Sequence, residues 1–167
     1  MNELWWGMTG TNWALIGAGF AAILAGCGSA WGITVASATV SGIVAEDGEK
    51  FGKLLPIAAM PGTQGIYGFI SAVLVLIFFN ILGGANTDMT GGQGFLVFLA
   101  CQPVAWLCFV SAYYQGKTGA SAAGIVAKRS EDSGKALILP ALVETYAVLS
   151  LIVTILMLTS LQAAFAK

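Results

Sequence analysis

The chain has 167 residues, of which 57% are hydrophobic and 9% charged, with a net charge of −1 and no histidine. Soluble domains carry about 25% charged residues, so a soluble surface cannot be assembled from this inventory. No basic patch offers a surface to nucleic acid, which is excluded as a partner.

The charges that exist are clustered. None falls between Leu4 and Ala45, between Leu54 and Thr87, or between Met89 and Gly116, and residues 136–166 contain only Glu144. Each of these four runs exceeds the ~20 apolar residues that cross a bilayer as a helix. A membrane barrel would instead need alternating segments of about ten residues. The expected fold is an all-α membrane protein with four transmembrane helices in a lipid bilayer. The N-terminal MNELWWGMTGTN lacks the basic region that opens a signal peptide, so the first helix is expected to be retained.

Helix 1 is rich in small residues, with Gly17, Gly19, Gly26, Gly28 and Gly32 among alanines, and helix 3 ends in SAYYQGKTGASAAGIVA. Small residues let membrane helices approach closely, so helices 1 and 3 are expected to face protein rather than lipid. The segment GCGSAWG does not have the G-x-G-x-x-G spacing of a dinucleotide site. Helices 2 and 4 carry the bulkier FISAVLVLIFFNIL and YAVLSLIVTILML, suited to packing outward. Cys27, Cys101 and Cys108 all lie in predicted helices without metal-site spacing and read as small apolar fillers.

Lys50 and Lys53 sit in the first loop, and Lys128, Arg129 and Lys135 in the third, against Lys167 at the other end. The positive-inside rule then places loops 46–53 and 128–135 in the cytoplasm and both termini outside the cell membrane.

The chain repeats itself. Shifted by 82 positions, GIVAEDGEKFGKLLPIAAMPGTQ from Gly42 aligns with GIVAKRSEDSGKALILPALVETY from Gly124, and 13 of 35 positions match over 42–76. The reading is two tandem helical hairpins, 11–88 and 93–166, joined by the Gly-rich GGANTDMTGGQG. The copies differ at two telling positions: Glu144 aligns with Gly62, and Gln115 with Ile33. An acid and an amide are absent together from the first copy and present together in the second, which a shared site explains.

An acid at the centre of a membrane helix costs roughly 2.5–3.5 kcal/mol on insertion scales, so Glu144 is a functional residue by default. Other polar side chains are few: Thr63, Gln64 and Tyr67 in helix 2, Gln115 in helix 3, and Thr145 and Tyr146 beside Glu144. The repeat register puts Thr63 and Gln64 at nearly the depth of Glu144, and Gln115 at a comparable distance from its loop. Pro56, Pro61, Pro103 and Pro140 all fall within helices. Pro61 interrupts the hydrogen-bond ladder, leaving nearby carbonyls to be satisfied by another partner, such as a cation.

The duplicated hairpin together with PGTQGIYG, QGK and VETYAVL resembles the rotor-ring proteolipids of V-type ATPases, in particular the subunit K (c-type) group of bacterial sodium-translocating enzymes. The resemblance covers nearly the whole chain, with the motifs in order on the correct helices. It implies a homo-oligomeric ring of identical subunits turning against a membrane stator, coupled through central-stalk subunits to a soluble head that hydrolyses ATP. The chain itself would then be non-hydrolytic. It also implies ion ligands: the carboxylate of Glu144, the hydroxyl of Thr63, the side-chain oxygens of Gln64 and Gln115, and the backbone carbonyl of Met60, with Tyr67 hydrogen-bonding the carboxylate. Trp5, Trp6, Trp13, the cysteines and Pro140 depart from the family pattern without removing a ligand.

A proton carrier needs little beyond a carboxylate in apolar surroundings, whereas bare Na⁺ needs several oxygens to replace its hydration shell. Five donors, one of them anionic, favour Na⁺ as the transported ion, with H⁺ the alternative, and no organic cofactor is expected. A small ion-coupled secondary transporter is the rival from another class, since such proteins also carry internal repeats. The polar groups here suit a bare ion better than an organic substrate.

Overall fold

A computed structural model describes residues 6–83 and 89–166. Part of the linker GGANTDMTGGQG, together with Trp5 and Lys167, lies outside the described residues. Four apolar helical spans make up the chain: span 1 at Gly10–Glu46, span 2 at Gly48–Phe78, span 3 at Gly91–Lys128 and span 4 at Ser130–Phe165. At 1.5 Å per residue their 31–38 residues extend about 47–57 Å, well beyond a ~30 Å hydrocarbon core. Their ends must therefore tilt or protrude.

Span 1 is a single helix, α1 (Gly10–Glu46), whose N-cap Thr9 accepts a hydrogen bond from the Asn12 amide. Span 2 is divided into α2 (Phe51–Ala59) and α3 (Thr63–Phe78) by one tight 3₁₀ turn at Met60–Gly62. Pro61 sits in that turn and has no N–H to return to the carbonyl of Ile57. Span 3 is likewise α4 (Gly91–Ala100) and α5 (Gln102–Lys128), broken just before Pro103. There the Gln102 side chain donates to the Phe98 carbonyl at 2.9 Å, replacing part of the interrupted ladder. Span 4 contains the unbroken α6 (Ser133–Phe165), which runs straight through Pro140.

Spans 1 and 3 form the central pair, with span 2 on span 1, span 4 on span 3, and spans 2 and 4 meeting across them. The glycines make this possible. A Cβ at Gly28 would stand 2.6 Å from the Cα of Phe109, and one at Gly17 would stand 2.7 Å from the Cα of Phe98. Gly32 and Gly116 abut backbone on the facing helix in the same way. The most apolar stretches of spans 1 and 3 are accordingly more buried (39% and 44%) than those of spans 2 and 4 (33% and 22%).

The expectation that spans 1 and 3 face protein holds for their glycine faces only. Their other faces expose Ile23, Trp31, Trp106 and Val110. Cysteine also divides: Cys101 and Cys108 are buried fillers, whereas Cys27 is exposed.

Two apolar clusters hold the bundle. One gathers Ala21, Ala25, Val75, Val104 and Leu158, and the other Val40, Leu54, Ile57, Ala122 and Ala136. Near the end that carries the short loops, Lys50 Nζ reaches the Ala127 carbonyl at 2.8 Å and Lys53 Nζ the Ser130 hydroxyl at 2.7 Å, tying the two hairpins together.

If backbone contact between spans 1 and 3 organises the bundle, Gly28→Ala destabilises it by about 1–3 kcal/mol, as overpacking does. Gly19→Ala, where a Cβ meets nothing within 4 Å, leaves stability unchanged. Thermal denaturation of the two detergent-extracted variants separates the outcomes.

Candidate functional site

Between the two apolar clusters lies a polar layer contributed by spans 2, 3 and 4. Its first part is the Pro61 turn. The Met60 carbonyl accepts from the Thr63 backbone amide and lies 3.0 Å from the Thr63 hydroxyl. That same hydroxyl is 3.3 Å from Gln64 Oε1. A threonine hydroxyl has one proton, so it cannot satisfy both acceptors. Three oxygens therefore crowd around a single side-chain hydrogen, an arrangement that a cation relieves.

Gln64 and Gln115 are both fully buried. Gln115 Nε2 donates to the Pro140 carbonyl at 3.1 Å and to Glu144 Oε2 at 3.4 Å. Because a carbonyl can only accept, this fixes the amide so that Oε1 turns toward span 2. Gln64 meets it with Nε2, 2.6 Å away, which in turn aims Gln64 Oε1 at Thr63. One carbonyl on span 4 thus sets the polarity of the chain of amides as far as span 2. On the far side, the Tyr67 hydroxyl donates to Glu144 Oε1 at 2.7 Å. Glu144 is half-buried and opens onto a shallow apolar groove lined by Ala141, Thr145, Val148 and Leu149.

All six residues singled out in the sequence, Met60, Thr63, Gln64, Tyr67, Gln115 and Glu144, are linked by this network. Thr145 and Tyr146 are not: Thr145 bonds back to the Leu142 carbonyl at 2.8 Å, and Tyr146 is exposed. Among the described residues, no group of three His, Cys, Asp or Glu could hold a metal. The donor set is oxygen from one acid, two amides, a hydroxyl and a carbonyl, the type that suits a hard monovalent cation.

The sequence did not single out Ser111. Its hydroxyl donates to the Val143 carbonyl at 3.0 Å and lies 3.4 Å from Gln64 Nε2, joining the turn before Glu144 to the amide pair. Its mate in the 82-residue register is Ser29, which accepts from the Gly65 amide at 2.7 Å across the other hairpin. The repeat register could have found both. The first copy also keeps the helix contact without its polarity, since a Cβ at Gly62 would meet Ile33 Cδ1 at 3.4 Å.

A family model for the C subunit of ATP synthase matches the chain twice, over residues 16–75 and 98–157, and the chain belongs to that family. It is 36% identical over 148 residues to the V-type sodium ATPase subunit K of Enterococcus hirae, covering 89% of this chain and 91% of that protein. It is also 36% identical over 143 residues to the A-type ATP synthase subunit K of Methanocaldococcus jannaschii, covering 86% of this chain and 60% of that protein. The chain is thus a rotor-ring subunit of the V/A-type ATPase family, a multi-pass membrane component that moves ions and does not itself hydrolyse ATP. Family membership sets aside the secondary transporter.

Ser111→Ala removes the bond to Val143 and one partner of Gln64. A hydrogen bond of this kind is worth about 1 kcal/mol, so ion affinity should fall roughly fivefold with assembly intact. Thr159→Ala, which removes only a back-bond within one helix, should leave affinity alone. Isothermal titration of the two purified variants tests the contrast.

Proposed function

We propose that this chain carries Na⁺ across the cell membrane on Glu144 as a ring of identical copies turns, driven by ATP hydrolysis in the soluble head of the complex. The ligands are the Glu144 carboxylate, the Thr63 hydroxyl, the Gln64 and Gln115 side-chain oxygens and the Met60 carbonyl. Tyr67 steadies the carboxylate. The observation that carries this reading is the crowding of Met60 O, Thr63 Oγ1 and Gln64 Oε1 around one hydroxyl proton, within a network that ends on the only carboxylate in the interior of a span. A proton carrier has no use for those three oxygens. The name of the Enterococcus relative, a sodium ATPase subunit, supports the same ion.

Two hairpins, 11–88 and 93–166, then share one carboxylate, so fewer ions cross per turn than in a ring of single hairpins of equal size. Each charge costs about 2.3 kcal/mol per 100 mV, and a rotor moving fewer charges per turn can drive each against a steeper gradient. That suits a pump. Loops 46–53 and 128–135 face the cytoplasm and the central stalk, the termini face outward, and the stator passes the exposed edge of Glu144 on span 4.

The ion is tested by competition. A hydrophobic carbodiimide modifies a protonated, membrane-embedded carboxyl group and spares one held by Na⁺. Raising Na⁺ at fixed, mildly acidic pH should slow modification of Glu144 in a saturable way, and an equal concentration of a large organic cation should not. Modification that follows pH and ignores Na⁺ would assign the site to H⁺. Glu144→Gln gives the blank, and it should assemble while losing ion-coupled ATPase activity.

Gln115→Ile installs the residue that the first copy carries at the aligned position. It should weaken Na⁺ protection at least tenfold without preventing assembly. Protection at the parent's Na⁺ concentration would remove Gln115 from the ligand set.

A further inference from the structure

Three cavities follow one another along the groove between spans 3 and 4. The first, about 440 Å³, is lined by Leu96, Leu99, Val153, Leu156 and Met157 among others. The second, about 310 Å³, is lined by Leu107, Val110, Ser111, Tyr114, Val143 and Tyr146. The third, about 540 Å³, lies at the loop end and reaches from Ser121 to Asp132. A ligand pocket of that size encloses its occupant and turns a few polar groups on it. These cavities lie open, and the first two are almost wholly apolar. An open apolar groove along a helix pair suits another helix.

The repeat offers a filled counterpart. Subtracting 82 from the residues of the second cavity gives Ala25, Gly28, Ser29, Gly32, Pro61 and Gln64, all of them buried. They form the same groove one hairpin earlier, between spans 1 and 2, and span 3 fills it. Phe109 lies on Gly28, Ala112 on Gly32 and Gln115 on Gln64. The first cavity follows the same rule: Leu96, Leu99, Val153 and Met157 are mates of buried Ala14, Gly17, Ser71 and Val75. The filling face of span 3 has its own mates on span 1. Phe98, Phe109, Ala112 and Gln115 correspond to Ile16, Cys27, Ala30 and Ile33, of which three are exposed and Ile33 is half-buried. The chain therefore presents an unfilled groove on one side and, on the other, the face that fills such a groove.

Charge supports the match. Glu46 and Asp47 stand at the end of span 1, and the aligned positions at the end of span 3 are Lys128 and Arg129, which line the third cavity. Among the described residues the ion pairs are Lys50–Asp47 and Lys135–Asp132, and neither uses Lys128 or Arg129. Opposite charges at the rim of an interface fix its register more than its strength.

Resting on the reading of this chain as one member of a ring, we propose that the groove between spans 3 and 4 seats span 1 of the next identical copy, in the 82-residue register. The seam between copies is then an ion-free counterpart of the ion site. Tyr146 stands there for Gln64, Ile33 of the next copy for Gln115, and Gly62 of the next copy for Glu144. Tyr146 is exposed in the single chain. In the seam its ring covers Ile33, as Gln64 covers Gln115 within the chain. A seam closed by an aromatic ring on a branched aliphatic side chain holds no ion, so each copy carries one.

The test is a disulfide across the seam. Val110 is the mate of Gly28 and Cys27 the mate of Phe109, and a Cβ at Gly28 would stand 2.6 Å from the Cα of Phe109. That contact is closer than a disulfide needs, so a wider seam still brings the pair within the roughly 4.4–6.8 Å Cα separation that one spans. Membranes containing Val110→Cys, oxidised with copper phenanthroline, should give a ladder of multimers that a reductant collapses. Adding Cys27→Ser should abolish the ladder, and Val148→Cys, on the other exposed side of span 4, should give none. If Val110→Cys has the parent's oligomeric mass by native mass spectrometry and yields no ladder, the seating is wrong while the ring stands. A parent of monomer mass would overturn the ring reading as well. Tyr146→Ala decides where Val110→Cys fails to assemble. It should release monomers from the detergent-solubilised oligomer roughly tenfold faster, the effect of losing one buried aromatic anchor, while Na⁺ protection of Glu144 keeps the parent's midpoint. An oligomer as durable as the parent's would take Tyr146 out of the seam and overturn the proposed counterpart.

Discussion

A carboxylate at the depth of Glu144 stays there only if neighbouring helices answer its charge, and much of the bundle's construction serves that requirement. Tyr67 reaches it from span 2 and Gln115 from span 3. Both can do so because spans 1 and 3 pack at backbone distance through their glycines, which draws spans 2 and 4 together across them. Larger residues at Gly28 or Gly32 would push span 3 outward and take Gln115 with it. Packing in one part of the molecule therefore sets hydrogen-bond geometry in another.

The duplication explains why the site is asymmetric. Both copies retain the serine that ties adjacent spans, Ser29 in one and Ser111 in the other, and both retain the close contact where Glu144 or Gly62 stands. In the first copy that contact is apolar, with Gly62 against Ile33, and its stability needs no ion. In the second, the polar pair requires the whole chain from Pro140 to Thr63 to be oriented. The first hairpin supplies part of that chain from span 2. Neither hairpin has a complete site alone, so the duplicated unit works as one.

The four spans, the repeat and the pairing of Glu144 with Gln115 were legible in the sequence because charge is scarce and the copies can be compared with each other. Pro61 also announced its break. Other features left no such mark. The Pro140 carbonyl orients Gln115, but every residue has a carbonyl, and only geometry reveals which one is used. Ser111 sits among small residues that read as packing. The exposed faces of spans 1 and 3 were hidden for a different reason: lipid and protein interior are equally apolar, so a helix touching both has no amphipathic period to read. Only Trp31, Trp106 and their neighbours, seen exposed, separate the two environments.

The charge of Glu144 is met from within the bundle. The Tyr67 hydroxyl and the Gln115 amide both donate to its carboxylate, and under the proposed function the oxygens of Met60, Thr63, Gln64 and Gln115 complete its neutralisation with an exchangeable cation. Glu144 lines an open groove on span 4, and the proposed exchange of the ion needs such an opening beside the carboxylate.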